Sequence, residues 1–198
     1  ASLAEAKIYF AIGVPFEQVW IDRIKANNTN LKIVDTREGI QIRRKDPHIW
    51  LDPILVKTQA QTIAEALTEI DPAHTADYQS NLAEFLADLD KIHREITKIL
   101  DCVENRVFLV FHPAWGYFAE RYRLRQLAVE VEGKEPSPRG LAAFIEQSKA
   151  LIDAGQAGKA IFVQKQFSTK SAEVVAEAIG ARVIVLDPLA RDYLCNLH

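Results

Sequence analysis

Short apolar runs alternate with segments of helical periodicity in the second half of the chain, and this alternation limits the folds open to it. Strands that are joined through helices pair in parallel, with right-handed crossovers. The sequence therefore predicts a four-stranded, doubly wound α/β lobe. We expect its strands at Val107–Phe111, Leu127–Val131, Ala160–Val163 and Val183–Leu186, and its helices at 114–123, 138–153 and 169–179. Ser137 and Ser168 are the expected N-caps, and Gly180 is the expected C-terminal helix stop.

A smaller strand–helix–strand unit is predicted near the start of the chain. Residues 7–12 form one predicted strand, Pro15 opens a helix that runs to Lys25, and Leu31–Val34 form the second strand. Two parallel strands make a thin sheet, so we expect this N-terminal lobe to be incomplete. The apolar residues of its helix, spaced for a single face, are Phe16, Val19, Trp20 and Ile24.

A long amphipathic helix is predicted between these two regions. Its apolar residues recur at alternating steps of four and three, at Tyr78, Leu82, Phe85, Leu89, Ile92, Ile96 and Ile99. From Pro72 to Leu100 such a helix would be ~40 Å long. A coiled-coil dimer is one interpretation. We favour an intramolecular spine in a monomer, because βα units flank the helix on both sides. The expected domains are 1–71, 72–101 and 102–198.

Three side chains that can bind a metal stand at the ends of predicted elements. His48 precedes a helix that Asp52 caps and Pro53 opens, and that runs to about Ile70. His112 and Asp187 each follow a buried strand, where α/β sheets bind their ligands. Two imidazoles and a carboxylate suit Zn²⁺, and less exclusively Mn²⁺ or Fe²⁺. Each residue taken alone is equally typical of a structural role, as a hydrogen-bonded histidine or as an aspartate at a turn.

The composition excludes several classes of protein. The net charge is −3 and no basic stripe is present, which argues against a nucleic-acid partner. No apolar run approaches the ~20 residues of a membrane span, and the first residues lack the apolar core of a signal peptide. We expect a soluble chain from which any export signal is absent. Cys102 and Cys195 are too few for a cysteine zinc site, and a disulfide between them is left open.

Enzymatic motifs are absent from the sequence. It contains no GxGxxG, no GxxxxGK[ST] and no GxSxG. A metal-dependent hydrolase would need a general base beside the metal-bound water, and Glu132 is the obvious candidate. Glu132 and Glu135 are too close in sequence for a glycosidase pair. His74 and His93 on the long helix are expected to be exposed or rim residues, and the Arg43–Lys45 run a solvated loop.

Four motifs together resemble the ZnuA-like group, the zinc- and manganese-binding proteins of bacterial ABC importers. In chain order they are Asp46-Pro-His-Ile-Trp-Leu-Asp-Pro53, Phe111-His-Pro-Ala-Trp-Gly-Tyr-Phe-Ala119, Glu132-Gly-Lys-Glu-Pro-Ser-Pro138 and Val185-Leu-Asp-Pro-Leu-Ala190. The resemblance implies two α/β lobes joined by a long rigid helix, with the metal in the cleft between them. It also implies His48, His112 and Asp187 as metal ligands. A histidine at position 112 favours zinc, because manganese proteins of the group often carry glutamate there.

The resemblance also implies partners and a location. We expect a non-enzymatic protein, either periplasmic or otherwise extracytoplasmic, with a membrane-anchored lipoprotein as one form of the latter, that delivers its metal to an ABC permease. The family's first ligand is a histidine from an earlier segment, and no residue before Lys7 matches it. Three protein ligands and an open position are therefore expected. A metal chelatase, a siderophore or corrinoid binder, and an adhesin remain as alternatives.

Overall fold

The computed structural model describes residue 3 and residues 5–43, 46–130, 134, 136–165 and 170–197, apart from the side chain of Cys195. The chain divides into two compact units, Ala1–Lys91 and Ile92–His198. The helices and strands follow in the order β1 (Ile8–Ala11), α1 (Pro15–Asn27), β2 (Lys32–Asp35), α2 (Pro53–Ile70), α3 (Thr75–Asp101), β3 (Val107–Val110), α4 (Gly116–Arg121), β4 (Arg125–Ala128), α5 (Pro138–Asp153), β5 (Ala157–Val163), α6 (Lys170–Ile179), β6 (Arg182–Val185) and α7 (Tyr193–Leu197).

The first unit contains a two-stranded parallel sheet, as predicted. β1 pairs with β2 in a register that runs from Ile8 opposite Lys32 to Ala11 opposite Asp35. Beyond the strand ends, the buried hydroxyl of Thr36 donates to the carbonyl of Ala11 at 2.9 Å and accepts from Gln59 of α2 at 3.0 Å. This polar link fixes the carboxyl end of the sheet against α2, since buried polar groups must be paired.

A buried glutamate shapes the loop between β1 and α1. The carboxylate of Glu17 accepts backbone N–H groups from Gly13 at 2.6 Å and from Ile12 and Val14 at 3.1 Å each. These donors lie at and just before the N-cap residue, Val14, so Glu17 at the third helical position supplies the reciprocal bond of a capping box to the backbone N–H of Val14. The predicted helix forms here, but its residues Phe16, Val19 and Trp20 are exposed.

The start of α2 confirms the predicted cap. Asp52 is buried and accepts the backbone N–H of Ile54 at 2.9 Å, and Pro53 occupies the first helical position. The helix ends at Ile70, as expected from the sequence. A short 3₁₀ turn, Pro72–His74, then precedes α3.

Replacing Asp52 by alanine should lower the free energy of unfolding by about 1 kcal/mol, because the first turn of α2 loses its cap. Urea unfolding followed by circular dichroism would measure the change. Asp88 is exposed in α3, and its replacement by alanine should change stability by less than about 0.5 kcal/mol. Equal effects of the two substitutions would contradict the capping role.

The second unit contains a four-stranded parallel sheet in the order β4-β3-β5-β6, which confirms the predicted doubly wound arrangement. Its core packs β3 and β5 against α5 and α6, and is built mainly of aliphatic residues with Phe111 and Phe144. Ser137 caps α5 by accepting from Gly140 at 3.2 Å, and Gly180 has a φ of 63° just after α6, both as predicted. Ser168 lies outside the described residues.

The long helix α3 is present, and its apolar seam is confirmed except at the end. Ile92 and Ile96 are buried and pack with Tyr122, and Leu100 joins the same cluster. Ile99 was expected in the seam and is instead 54% exposed, since the helix turns Leu100 toward the cluster. Among the described helices, none is long and apolar enough to cross a membrane.

Candidate metal centre

His48 lies in a short loop that is held by its own sequence. The backbone N–H of His48 donates to Asp46 Oδ1 at 3.1 Å, and the ring Nδ1 lies 2.8 Å from the same oxygen. Pro47 stands between the two residues and limits the backbone conformation of the loop. Trp50 packs beside the imidazole, with ring centroids 5.2 Å apart. The ring is therefore oriented before any ligand arrives.

His112 follows the carboxyl end of β3, as predicted. The last paired residue of β3, Val110, lies opposite Ala128 of β4. The backbone N–H of the next residue, Phe111, donates to the carbonyl of Phe162 in β5 at 2.8 Å. A tight turn follows, in which Ala114 bonds back to the carbonyl of His112 at 2.8 Å. The expected helix at 114–123 accordingly starts later, at Gly116.

A buried carboxylate that was not predicted holds His112. Nδ1 of His112 is hydrogen-bonded to Oε2 of Glu130, whose side chain is only 5% exposed. Glu130 follows β4 by as many residues as His112 follows β3, so the parallel register brings the two level with each other. That register, if known, is the signal that would have revealed the pair. The predicted strand Leu127–Val131 is wrong by two residues at its start and ends earlier, at Ala128.

Asp187 follows β6 at the same end of the sheet as His112. Its Oδ1 accepts the backbone N–H of Leu189 at 3.0 Å, and its carbonyl accepts from Asn196 Nδ2 at 2.7 Å. One strand, β5, separates β3 from β6. Neighbouring strands lie about 4.8 Å apart, so the two strand ends are about 10 Å apart. An imidazole, a metal ion and a carboxylate can together span such a gap.

The predicted ligands are divided between the two units. His48 belongs to the first unit, and His112 and Asp187 belong to the second. Across the part of the chain that the structure describes, no three histidine, cysteine, aspartate or glutamate side chains form a ready group for a metal ion. The structure does bring both predicted ligand histidines, His48 and His112, together with a carboxylate of the same unit. The three-residue ligand set remains a prediction.

A cavity of about 220 Å³ opens next to the His48 loop within the first unit, and Asp46 and Pro47 form part of its wall. Arg37 lines it too, and its guanidinium bonds to Asp35 at 2.6 and 2.8 Å, which lowers the pKa of that carboxyl. Gly13 has a φ of 79° and lies directly against this guanidinium, where a Cβ atom would clash. Arg43 also lines the cavity, whereas Arg44 and Lys45 lie outside the described residues.

The other histidines, His74 and His93, make hydrogen bonds that are typical of a structural role. His74 is exposed, and its hydrogen bond to Asp71 at 2.9 Å raises the pKa of the imidazole. His93 is half-buried, with Nδ1 3.1 Å from the hydroxyl of Tyr122. Cys102 is an exposed free cysteine. Glu132 and Glu135 lie outside the described residues, as does the side chain of Cys195.

The fold of this chain is shared with solved structures of metal-binding proteins. A crystal structure of ZnuA superimposes with a TM-score of 0.93 at 46% identity, over 100% of this chain and 77% of the other. The laminin-binding protein Lmb of Streptococcus agalactiae, titled a bifunctional protein with adhesin and metal transporting activity, superimposes with a TM-score of 0.87 at 26% identity. That alignment covers 99% of this chain and 78% of Lmb. The parallel α/β units and long helix thus have the fold of the metal-binding proteins of ABC importers, which confirms the predicted fold class.

The family follows from the sequence itself. The family model described as "ZnuA: Zinc-uptake complex component A periplasmic" matches residues 1–196. The high-affinity zinc uptake system protein ZnuA of Brucella abortus (strain 2308) is 35% identical over 147 residues, which cover 74% of this chain and 43% of that protein. The chain therefore belongs to the ZnuA family, as its motifs predicted. It spans less than half the length of this curated relative.

Proposed function

We propose that this chain captures a divalent transition metal, zinc in preference to manganese or iron, and delivers it to the permease of an ABC importer. The observation that carries the proposal is the repeated pairing of a motif histidine with a carboxylate, once in each unit. A histidine that is oriented through one ring nitrogen by a carboxylate is the usual state of a metal-ligating histidine. Membership of a zinc-uptake family supports the same interpretation.

The proposed mechanism is capture without chemical change of the cargo. His48 and His112 would each give one imidazole nitrogen, and Asp187 would give a carboxylate oxygen. These donors replace water around the ion, and a tetrahedral zinc ion would keep one position for water or a further ligand. Nitrogen donors favour zinc over manganese, which prefers oxygen. No catalytic base is needed for capture, so we propose a non-enzymatic role, and the description of the family supports a periplasmic location.

The division of the ligands between the units gives the proposal a physical consequence. A metal ion that is bound by His48 together with His112 and Asp187 would link the two units. Metal binding would then slow local opening of both units, which is measurable as slower amide hydrogen exchange. A permease could distinguish the loaded form through this difference.

Competition titrations of the metal-free protein with Zn²⁺, Mn²⁺ and Fe²⁺ test the function. Zinc should bind most tightly, with a dissociation constant well below about 1 μM. A dissociation constant of about 1 μM corresponds to a binding free energy of roughly −8 kcal/mol. Binding should weaken at acidic pH, because protonated imidazoles cannot bind a metal. If neither zinc nor manganese binds better than micromolar, the importer function is wrong for this chain.

A further inference from the structure

We propose that Asp46 and Glu130 are positioning residues that keep the ring proton of His48 and His112 on Nδ1 and thereby present Nε2 as the metal-binding atom. The inference rests on the proposed function and adds two residues and one atom choice to it. Neither carboxylate is among the predicted ligands. The same arrangement occurs independently in both units, on unrelated local structures.

Asp46 acts through a short closed loop. One oxygen, Oδ1, receives both the backbone N–H and the ring Nδ1 of His48, at 3.1 and 2.8 Å. The two side chains are 14% and 16% exposed, so water competes little for these bonds. Because the two residues are separated only by Pro47, the loop holds the ring in one orientation relative to its own backbone.

Glu130 acts across two strands. Its backbone N–H bonds to the carbonyl of Phe111 at 2.9 Å, which fixes the residue beside the His112 turn. Its side chain is buried, and a buried carboxylate destabilises a fold by several kcal/mol unless it is paired. The imidazole of His112 supplies that partner. An apolar residue would fill the position without this requirement, so the glutamate is best explained by what it does to the histidine.

The chemistry of the pair determines the proton's position. An ionised carboxylate can only accept hydrogen bonds, so the nitrogen that faces it carries the proton. In a neutral imidazole the lone pair is then on the other nitrogen, Nε2, which is the form a metal binds. Loss of such a carboxylate partner typically weakens metal affinity about 10–100-fold.

If these hydrogen bonds were purely structural, their loss would leave the zinc affinity of a folded variant unchanged. The chain also contains a similar histidine–carboxylate pair that serves as a control. Asp71 holds Nδ1 of His74 at 2.9 Å in the same way, but His74 is exposed and is not a predicted ligand. Asp71→Asn is therefore the control for Asp46→Ala and Glu130→Gln. It alters the same kind of pair at a place where no effect on zinc is expected.

The first measurement uses the metal-free protein. Long-range ¹H–¹⁵N correlation spectra at neutral pH distinguish a protonated ring nitrogen from one with a lone pair. We expect the Nδ1–H tautomer for both His48 and His112. Asp46→Ala removes the acceptor, and the amide of Glu130→Gln can present either oxygen or NH₂, so each variant should raise the Nε2–H share of its own histidine. The signals of His74 should stay unchanged in both variants.

The second measurement is zinc affinity by competition. Asp46→Ala should weaken binding about 10–100-fold, and Glu130→Gln, whose amide oxygen can still accept, should weaken it by a smaller factor. Asp46→Asn keeps an oxygen acceptor and should weaken binding less, while Asp71→Asn should leave it unchanged. Circular dichroism establishes that each variant is folded. Should Glu130→Gln fail to fold, the wild-type tautomer of His112 still decides that half of the proposal.

The outcomes separate this proposal from the function on which it rests. Nε2–H tautomers in a wild-type protein that binds zinc would overturn the positioning role alone. Unchanged zinc affinity in both Asp46→Ala and Glu130→Gln would do the same. A wild-type protein that binds no zinc would overturn the proposed function, and with it the metal-directed role of the two carboxylates.

Discussion

Replacing His112 by alanine should weaken zinc binding by about 100-fold or more. Tetrahedral protein sites bind zinc with roughly 10–16 kcal/mol, which is about 3 kcal/mol for each ligand. A loss of that size corresponds to about two orders of magnitude in the dissociation constant, because 1.4 kcal/mol is tenfold. Competition with a chelator of known affinity measures the change directly.

Two further variants make this result specific. Alanine at position 112 also leaves Glu130 buried without its imidazole partner, so part of the effect could come from a weakened fold. His112→Asn can keep an N–H donor toward Glu130 at the position of Nδ1 and removes Nε2, and it should lose a similar amount of zinc affinity. His74→Ala removes an exposed histidine and should bind zinc like the wild type. Wild-type affinity in both position-112 variants would exclude His112 as a ligand.

Helix boundaries were predictable wherever the chemistry that sets them is local. α2 and α5 both begin with a capping side chain followed by proline, and both begin where the sequence predicts. A cap and its proline act within one turn of helix, so adjacent residues contain the whole signal. α4 shows the limit of this reasoning. Pro113 indicated an earlier start, but the turn from His112 to Ala114 delays the helix to Gly116.

Strand ends were less predictable, because apolar patterns report burial and not hydrogen bonding. β4 was expected to include Val129, which is indeed buried. The regular ladder with β3 ends one residue earlier, at Ala128 opposite Val110, although the N–H of Val129 still bonds to the carbonyl of Val110. At the other end, Arg125 and Gln126 are paired but polar, and so gave no apolar signal. A strand's partner determines these limits, and that information is distant in sequence.

The difference between local signals and signals that are distant in sequence also explains which residues of the candidate site could be predicted. His48, His112 and Asp187 stand at element ends that local patterns mark, and Asp46 lies in the same motif as His48. Glu130 was missed, since nothing near it in sequence indicates that His112 is its neighbour. Only the alignment of β3 with β4 brings them together. Whether His48 can join the other two predicted ligands depends on the arrangement of the two units, for which no local pattern exists.

Ile161→Ala should be the most destabilising of the substitutions considered for the second unit. Ile161 is 0% exposed at the centre of β5, where it pairs with Leu109 and Val183 on the neighbouring strands. Truncating a fully buried isoleucine removes its burial energy and leaves a cavity, which together lower the free energy of unfolding by about 2–5 kcal/mol. Native-state hydrogen exchange of the β3 and β5 amides would report this change for the second unit alone.

Ile99→Ala is the matched control, with the same atoms removed from the same unit. Ile99 is 54% exposed although the heptad-like pattern placed it in the apolar seam. Because the Ile99 side chain is exposed in the structure, its truncation should change the free energy of unfolding by less than about 0.5 kcal/mol, whatever its place in the apolar repeat. A loss at Ile99 as large as that at Ile161 would mean that α3 buries this position, as the heptad-like pattern predicts. A small loss at Ile161 would contradict the core of the four-stranded sheet, on which the placement of both His112 and Asp187 depends.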